Sequence, residues 1–299
     1  MSGIRTFSIE ELNRQMRQPT LHPQVAVIDP SRLGEDTALC FTGNYYAVRF
    51  VRIQCGEPCL YGRQSADFQY ATLAFTEPGD TVSVSREDAA EGDISGILFH
   101  PDLFCSKSLV LKKADYTFFG YRDNESLHLS LQEKLIVQDR LDHLYRELRR
   151  DIDRYSLRLV SAGLELLLDY CARFYERQFA CRTDINRKYL AVLDDALDSY
   201  FGLHCQKSVE EGICRMESAL SELSPAYLND LVHAETGKTL AEYIRFRMIG
   251  YIRMRVCNEG CPLEQVAGEF GFRQPVLSRL EKIVFLQRKP HEMFGTQFS

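Results

Sequence analysis

Thiols are one set of reactive groups in this chain, which has ten cysteines among its 299 residues. A thiolate can ligate zinc, form a disulfide or act as a nucleophile, and spacing helps to separate these uses. Cys55 and Cys59 have three residues between them, as do Cys257 and Cys261, and no nearby histidine completes a zinc set. The irregular spacing in a large chain predicts reduced, mostly buried thiols that pack as small apolar groups.

Histidines and carboxylates could instead form a metal-dependent catalytic site, which requires several of these groups to converge from neighbouring strands. His22, His100 and His128 are far apart in the sequence, and no His-x-His pair occurs. The sequence also lacks a Gly-x-Ser-x-Gly motif and a phosphate-binding glycine loop. We therefore expect no enzymatic activity, no cofactor and no metal site.

Composition and charge are those of an ordinary globular protein, with 45% hydrophobic and 26% charged residues. The N-terminus has no apolar run typical of a signal peptide, and no stretch approaches the ~20 apolar residues of a membrane span. A soluble, cytoplasmic protein is expected.

From Cys205 onwards 12 Lys and Arg balance 12 Asp and Glu, so the first 204 residues carry the whole net charge of −6. Because the part of the chain from Cys205 onwards is neutral, its expected non-specific affinity for nucleic acid is low.

The elements that must position any site begin with short strands separated by turn residues. The segments AVRFVRI (47–53), TLAFTEPGDTVSV (72–84) and GILFH (96–100) are β-branched or aromatic runs. Their spacing predicts a small barrel or sandwich over residues 1–130. Six aromatic residues could line a ligand pocket there, although aromatics in strands are more often plain core. They are Tyr45, Tyr46, Phe50, Tyr61, Phe68 and Tyr70.

The period changes at Ser130-Leu-Gln-Glu133, which is a capping box. A first helix with an apolar stripe from Leu141 to Ile152 and a second helix over about 156–179 follow. Two amphipathic helices form a hairpin, predicted as a connector over 131–200. Its apolar stripe packs either on its own barrel or against a second copy of the chain, and both hold if different faces are used. A polar, glycine-bearing linker is expected at 201–212.

A helix-turn-helix pattern dominates the C-terminal part, predicted as a domain over 213–299. Ser224-Pro225 is an N-cap followed by proline at the first helical position, and Leu228, Leu231 and Val232 make an apolar stripe. Gly237 ends this helix, and the capping box Thr239–Glu242 starts the next one.

The amino-acid sequence of this segment, LSPAYLNDLVHAETGKTLAEYIRFRM (223–248), resembles the DNA-binding domain of the AraC family of bacterial transcription regulators. The resemblance extends over nearly the whole chain and is closest to regulators of the Bacteroidetes type. It is carried by LHPQVAVID (21–29), LYGRQSADFQYATLAF (60–75), LFHPDLF (98–104), YTFFGYRDNESLHLS (116–130) and LELLLDYCARFYERQF (164–179). The resemblance implies an α+β chain: a cupin-like β-barrel with a helical hairpin, then an all-α domain of two helix-turn-helix units.

The family pattern implies that the first recognition helix runs from about Ser224 to Glu235. Asn229 could then pair with an adenine edge, Ser224 and Tyr227 could hold phosphates, and Asp230 would need a cytosine amine or a cation. For Tyr227, packing between helices is an equal alternative. The outward residues implied for DNA binding are Ser224, Pro225, Ala226, Tyr227, Asn229, Asp230 and His233.

The second helix-turn-helix departs from the family pattern. The segment RQPVLSRLEKIVFLQRKPHEMF (273–294) has a Ser-Arg pair displaced by one residue, and Gln287 replaces a glycine of the closing turn. A displacement of one residue turns a helical side chain by about 100°. Arg255 stands where the family has an apolar residue, so its charge must reach solvent or a partner. The DNA-binding residues implied here are Arg273, Gln274, Ser278 and Arg279.

Two functions remain open at this stage. The first is a homodimeric regulator that binds double-stranded DNA and senses a small effector or dimerises through its N-terminal domain. The second is a dimerising interaction protein with weakened DNA binding that titrates another regulator. The neutral C-terminal part and the altered last helix motivate the second.

Overall fold

The structure is a computed structural model, and it describes residues 5–33, 39–51, 62–84, 94–105, 113–202 and 208–272. The chain forms two compact units. Unit 1 comprises Met1–Thr183 together with Leu223–Tyr227, and unit 2 comprises Asp184–Glu222 together with Leu228–Ser299. The division therefore falls inside the segment 131–200 that the sequence assigns to a single connector.

Unit 1 is built on two sheets. A five-stranded antiparallel sheet has the order β2-β7-β4-β5-β8, and a three-stranded sheet has the order β1-β3-β6 with β1 parallel to β3. Among the described residues these sheets stay separate, so the structure is mixed α+β and the predicted closed barrel is not seen. The strands are β1 (Arg5–Thr6), β2 (Val25–Ile28), β3 (Leu39–Thr42), β4 (Tyr46–Val51), β5 (Ala71–Thr76), β6 (Thr81–Val84), β7 (Gly96–Phe99) and β8 (Leu127–Leu129).

The helices of unit 1 are α1 (Ile9–Gln15), α2 (Leu131–Leu148) and α3 (Ser156–Cys181). The predicted capping box before α2 is confirmed, because the Ser130 hydroxyl accepts the Glu133 N–H at 3.2 Å and the Glu133 carboxylate accepts the Ser130 N–H at 2.8 Å. The predicted apolar stripe extends too far, since α2 ends at Leu148 and Ile152 is 66% exposed. Apolar spacing alone cannot locate a helix end that has no glycine or proline.

The inward stripe of the α2–α3 hairpin packs on its own sheet. Leu141 and Leu144 of α2 and Leu164 and Leu168 of α3 share one buried cluster with strand residues such as Phe75. Of the two alternatives left open by the sequence, packing within unit 1 therefore holds for this face.

Five further helices lie wholly or mainly in unit 2 among the described residues: α4 (Thr183–Phe201), α5 (Val209–Ala219), α6 (Pro225–Thr236), α7 (Leu240–Cys257) and α8 (Leu263–Glu269). The first residue of α4 and the first three residues of α6 belong to unit 1. The predicted linker at 201–212 is partly helical, because Ser208 caps α5 through the Glu211 N–H at 3.1 Å. Gly212 lies inside α5, where a Cβ would stand 3.3 Å from Ile244 and 3.4 Å from Tyr200. This glycine thus permits close packing and does not mark a linker.

The boundaries of α6 and α7 agree with the sequence prediction. Gly237 has φ +69 after α6, and the Thr239–Glu242 capping box starts α7. Pro262 is the N-cap of α8 and precedes its first helical residue. Within the described ranges, none of the helices has both the length and the apolar character needed to cross a bilayer.

Candidate nucleic-acid interface

The first residues of α6 carry most of the predicted DNA contacts, so their surroundings decide what they can bind. The Ser224 hydroxyl accepts the Tyr227 N–H at 3.1 Å, which confirms Ser224 as the cap of this helix. Pro225 follows at the first helical position, where its missing N–H leaves no donor unpaired. Both features are local, and the sequence predicts them correctly.

Ser224 belongs to unit 1, is only 2% exposed and is held by a carboxylate of the same unit. Its N–H donates to Glu125 Oε1 at 2.6 Å, and its hydroxyl donates to Glu125 Oε2 at 2.6 Å. The same carboxylate accepts the Arg122 N–H at 2.7 Å, within the short helical turn Asp123–Glu125. In this conformation the polar atoms of Ser224 are already paired, so the predicted phosphate contact is not available.

Tyr227 is 4% exposed, and its ring packs among aromatic residues. The centroid of Tyr121 lies 5.1 Å away in an edge-on arrangement, and that of Phe179 lies 5.0 Å away. The phenol oxygen accepts a hydrogen bond from Arg182 Nη1 at 3.0 Å. The sequence allows Tyr227 either to hold a phosphate or to pack between helices, and in the structure its ring is packed.

Arg182 connects Tyr227 to a buried acid. Its Nε donates to Asp67 Oδ1 at 2.9 Å and its Nη2 to Asp67 Oδ2 at 2.5 Å, while Nη2 also reaches the Gly62 carbonyl at 3.2 Å. Such a two-point pair fixes orientation as well as distance. We call Glu125, Ser224, Asp67, Arg182 and Tyr227 the α6 anchor.

Electrostatics in the α6 anchor follow from burial. Burial raises the pKa of the Tyr227 phenol, and the positive charge of Arg182 only partly opposes this shift. Burial alone would lower the pKa of Arg182, but the hydrogen bonds that it donates to Asp67 and the charges nearby outweigh burial, so that pKa is raised. Arg182 is therefore a permanent cation and Tyr227 a neutral phenol at any physiological pH.

Asn229 braces the start of α7. Its Oδ1 accepts the Leu240 N–H at 3.0 Å, and its Nδ2 donates to Asp230 Oδ1 at 3.2 Å. Reading an adenine edge would require both ends of this amide, so the predicted base contact competes with the bond to α7. The structure thus gives Asn229 a positioning role within unit 2.

The remaining predicted residues of α6 are more accessible. Pro225 and His233 are exposed, while Ala226 and Asp230 are half-buried. The second predicted set, Arg273, Gln274, Ser278 and Arg279, lies outside the described residues. The open side of α6 thus presents one histidine and one carboxylate from the predicted contacts.

Several arginines of α7 are neutralised inside unit 2. Arg247 pairs with Asp194 and, at 2.8 Å, with Asp198. Arg255 pairs with Glu259 at 2.9 Å and with Glu269 at 3.3 Å.

Arg255 therefore has the partner that the sequence requires. Arg245, in contrast, is exposed and is available to a phosphate. The positive charge that α7 can offer to a duplex is smaller than its four arginines suggest.

An open groove of about 740 Å³ runs beside α7. Gly250 lies in its wall, and a Cβ there would meet no atom within 4 Å. The exposed side chains Phe246 and Met254 stand four residues to either side of this glycine. The lining is Asp198, Phe246, Arg247, Ile249, Gly250, Tyr251, Arg253 and Met254.

The aromatic residues predicted to line a ligand pocket are dispersed. Tyr46 and Phe50 belong to the buried cluster under α2 and α3, and Tyr45 belongs to the cluster between the sheets. Phe68 and Tyr70 are exposed, the latter by 62%, and the Arg177 guanidinium lies 4.7 Å from the Phe68 ring centroid. Tyr61 lies outside the described residues. The five described residues do not form one pocket wall.

Three residues of the α6 anchor, Asp67, Glu125 and Arg182, are not among the site residues predicted from the sequence. Glu125 is separated from Ser224 by 99 residues, and Asp67 from Arg182 by 115. No local motif marks these partners, because each pairing is created only by the tertiary fold. The available signals were charged residues in the otherwise aromatic stretches 60–75 and 116–130.

In the described part of the chain, no three His, Cys, Asp or Glu side chains are grouped as ligands of a metal ion. Comparison with models of known protein families, with characterised proteins and with solved structures finds no match.

Proposed function

We propose that this protein is a sequence-specific DNA-binding transcription regulator whose unit 2 reads the duplex and whose unit 1 senses a signal. The proposal includes a cupin-like origin for the sheets of unit 1 and two helix-turn-helix units in the C-terminal part, joined by α7. The resemblance to the AraC family over nearly the whole sequence motivates it.

The observation that carries the proposal is the construction of α6 and its neighbours. A short helix, α5, is followed by a capped helix, α6, and a glycine turn leads to a recapped long helix, α7. The Asn229 side chain pins the first N–H of α7 to α6. A braced pair of short helices is the geometry that presents one helix to the major groove.

In the proposed function, the α6 anchor holds the protein in a resting state of low DNA affinity. Ser224 and Tyr227 stand at the end of α6 that a recognition helix uses for base and phosphate contacts, and they are hydrogen-bonded to Glu125 and Arg182 within unit 1. We propose that the anchor lowers DNA affinity until a signal in unit 1 releases residues 223–227. His233 and Arg245 would supply contacts in either state.

A homodimer is part of the proposal and rests on the outward face of α3. Leu159 and Leu166 are seven residues apart, so they lie on one face of the helix, and both are exposed. Sedimentation of the full chain tests this: Leu159→Lys together with Leu166→Lys should convert a dimer to a monomer without changing the circular dichroism. A wild-type monomer at micromolar concentration would contradict the dimer.

The DNA-binding test uses a fluorescent duplex from upstream of the protein's own gene and a scrambled duplex of equal length. Fluorescence anisotropy should show preference for the first duplex. For about three phosphate contacts, affinity should fall about 40-fold between 50 and 200 mM salt.

His233→Glu, on the open side of α6, should weaken binding, whereas His143→Glu, on an exposed position of α2, serves as the matched control. The proposal would be refuted if neither the wild type nor Glu125→Gln, which weakens the α6 anchor, bound either duplex at 50 mM salt.

A second candidate function is a dimerising interaction protein that titrates another regulator. It is favoured by the internal engagement of Ser224, Tyr227 and Asn229, together with the ion pairs of Arg247 and Arg255. The discriminating result would be a stable complex with a second regulator in the absence of any DNA affinity.

A further inference from the structure

The five-stranded sheet of unit 1 has two different faces, because successive side chains of a strand alternate. Tyr46, Val48 and Phe50 of β4 join the cluster beneath α2 and α3. Ala47 of β4 and Leu98 of β7 instead join the cluster that contains residues of the three-stranded sheet. We call this second face the inner face.

One end of the inner face is polar. By alternation from Ala47, Arg49 lies on the inner face, and the strand register adds Thr72, Ala74 and Thr76 of β5. His128 of β8 pairs with Thr72 in the register, and their side chains are 3.0 Å apart. All five are buried, and all but Ala74 are polar. A group of buried polar residues in a sheet interior requires a reason.

The neighbours of Arg49 are small. Its cross-strand partners are Ala74 on β5 and Gly96 on β7. A Cβ on Gly96 would stand 2.9 Å from the Arg49 Cβ and 2.5 Å from the Val48 carbonyl oxygen, so only glycine fits there. Thr72 and Thr76, two positions either side of Ala74, flank this space with hydroxyls. Small residues on the two neighbouring strands thus allow close packing around the base of a long cationic side chain.

Arg49 lacks a partner for its charge. It is 6% exposed, and its Nε is enclosed without a hydrogen bond. Neither of its terminal nitrogens forms a hydrogen bond or an ion pair with any residue in the described ranges, and neither is enclosed as Nε is. The Tyr45 hydroxyl, in the cluster of Ala47, is likewise enclosed without a partner. A cation in a sheet interior is unfavourable unless its accessible nitrogens are solvated or an anion accompanies it.

We propose that Arg49 anchors a binding site on the inner face for a small organic acid, whose carboxylate accepts two hydrogen bonds from the guanidinium. The planar guanidinium matches a carboxylate at two points, and the Thr76 hydroxyl supplies a further donor, whereas the Thr72 hydroxyl is engaged with His128. No second cation stands beside Arg49 among the described residues of the inner face, which favours a singly charged carboxylate over a phosphate. The site differs from the apolar or sugar-like pocket expected from the aromatic residues, and it does not depend on DNA binding.

The test measures thermal unfolding of the full chain with sodium formate, acetate, propionate or benzoate against sodium chloride at equal ionic strength. The corresponding neutral amides and sodium phosphate are separate arms. At ten times its Kd, a bound acid should raise Tm by about 3–6 °C, and the amide should not. Arg49→Met should abolish the shift and Arg49→Lys should reduce it, while Arg158→Met, on an exposed position of α3, should retain it.

The ligand-free proteins provide a second readout with a defined sign. Replacing an unpartnered buried cation with a side chain of similar length removes an unfavourable charge, so Arg49→Met should unfold at a temperature equal to or higher than wild type. A lower Tm for Arg49→Met without ligand would reveal a structural partner and overturn the proposal. So would the absence of any shift with all four acids, a shift that survives Arg49→Met, or an equal response to phosphate.

Discussion

Arg182 and Asp67 should be strongly coupled: removing either charge alone should destabilise the protein far more than removing both. The two side chains are 5% and 0% exposed, and Arg182 makes four hydrogen bonds to Asp67, Tyr227 and Gly62. Arg182→Met leaves the Asp67 carboxylate buried with the Gln64 N–H, at 2.7 Å, as its remaining described donor. Breaking a buried pair in this way should lower the free energy of unfolding by about 3–5 kcal/mol.

Removing both charges should be much less harmful than removing one. Asp67→Leu alone strands the Arg182 cation and should also cost about 3–5 kcal/mol, whereas Asp67→Leu combined with Arg182→Met leaves no buried charge. The double-mutant cycle should therefore give a coupling energy of about 3 kcal/mol or more. Arg215→Met, which removes an exposed pair with Glu211, is the control and should cost about 0.3–0.5 kcal/mol.

Two assays separate global from local effects. Urea unfolding followed by far-UV circular dichroism gives the free energies, since the chain has no tryptophan to report by fluorescence. Hydrogen exchange should accelerate in Arg182→Met at the amides of residues 224, 226 and 227, because Tyr227 loses its hydrogen bond from Arg182. Pro225 has no N–H and does not report. A loss under about 1 kcal/mol, or a coupling energy near zero, would refute the reasoning.

Three further predictions follow from other contacts. Glu125→Gln replaces the charged acceptor of both Ser224 hydrogen bonds; a bond to a charged group contributes about 1.5–3 kcal/mol, so, under the proposed function, DNA affinity in the anisotropy assay should rise about tenfold, and an unchanged affinity would exclude a restraining role. Gly163→Ala brings a Cβ to 2.8 Å from Leu144 and should lower Tm, whereas Gly250→Ala meets nothing within 4 Å and should stabilise α7 by about 1 kcal/mol; Tm changes of the same sign would contradict this. Burial lowers the pKa of His22 below 6.5; since the unfolded chain then binds the proton more tightly, stability should be intact above pH 6.5 and fall below it, by at most about 1.4 kcal/mol per pH unit, and His22→Asn should flatten the pH profile of urea midpoints.

The sequence is informative wherever a structure depends on neighbours along the chain. The capping boxes at Ser130 and Thr239, the cap at Ser224 and the bounds of α7 are all encoded within four residues or in one helical period. Strand positions follow from β-branched runs for the same reason. These features fix the elements and leave their pairing open.

Long-range pairings were not predictable from the same patterns. Glu125 and Asp67 sit in segments whose aromatic residues suggest packing, and nothing near them indicates which distant donor they meet. The sheet arrangement also differs from the expected barrel, because short strands specify pairing only through tertiary contacts. Gly212 shows the same limit: glycine is typical of a linker, yet here it permits contact with Ile244.

The discontinuity of unit 1 has a consequence for synthesis on the ribosome. The chain leaves unit 1 at Thr183 and returns to it only with Leu223–Tyr227, after the segment Asp184–Glu222 has been made. An N-terminal domain usually folds as soon as it emerges, but here Glu125 and Arg182 must wait for Ser224 and Tyr227. A nascent chain arrested between these points would expose two buried charged groups, and a protease or chaperone would encounter that intermediate first.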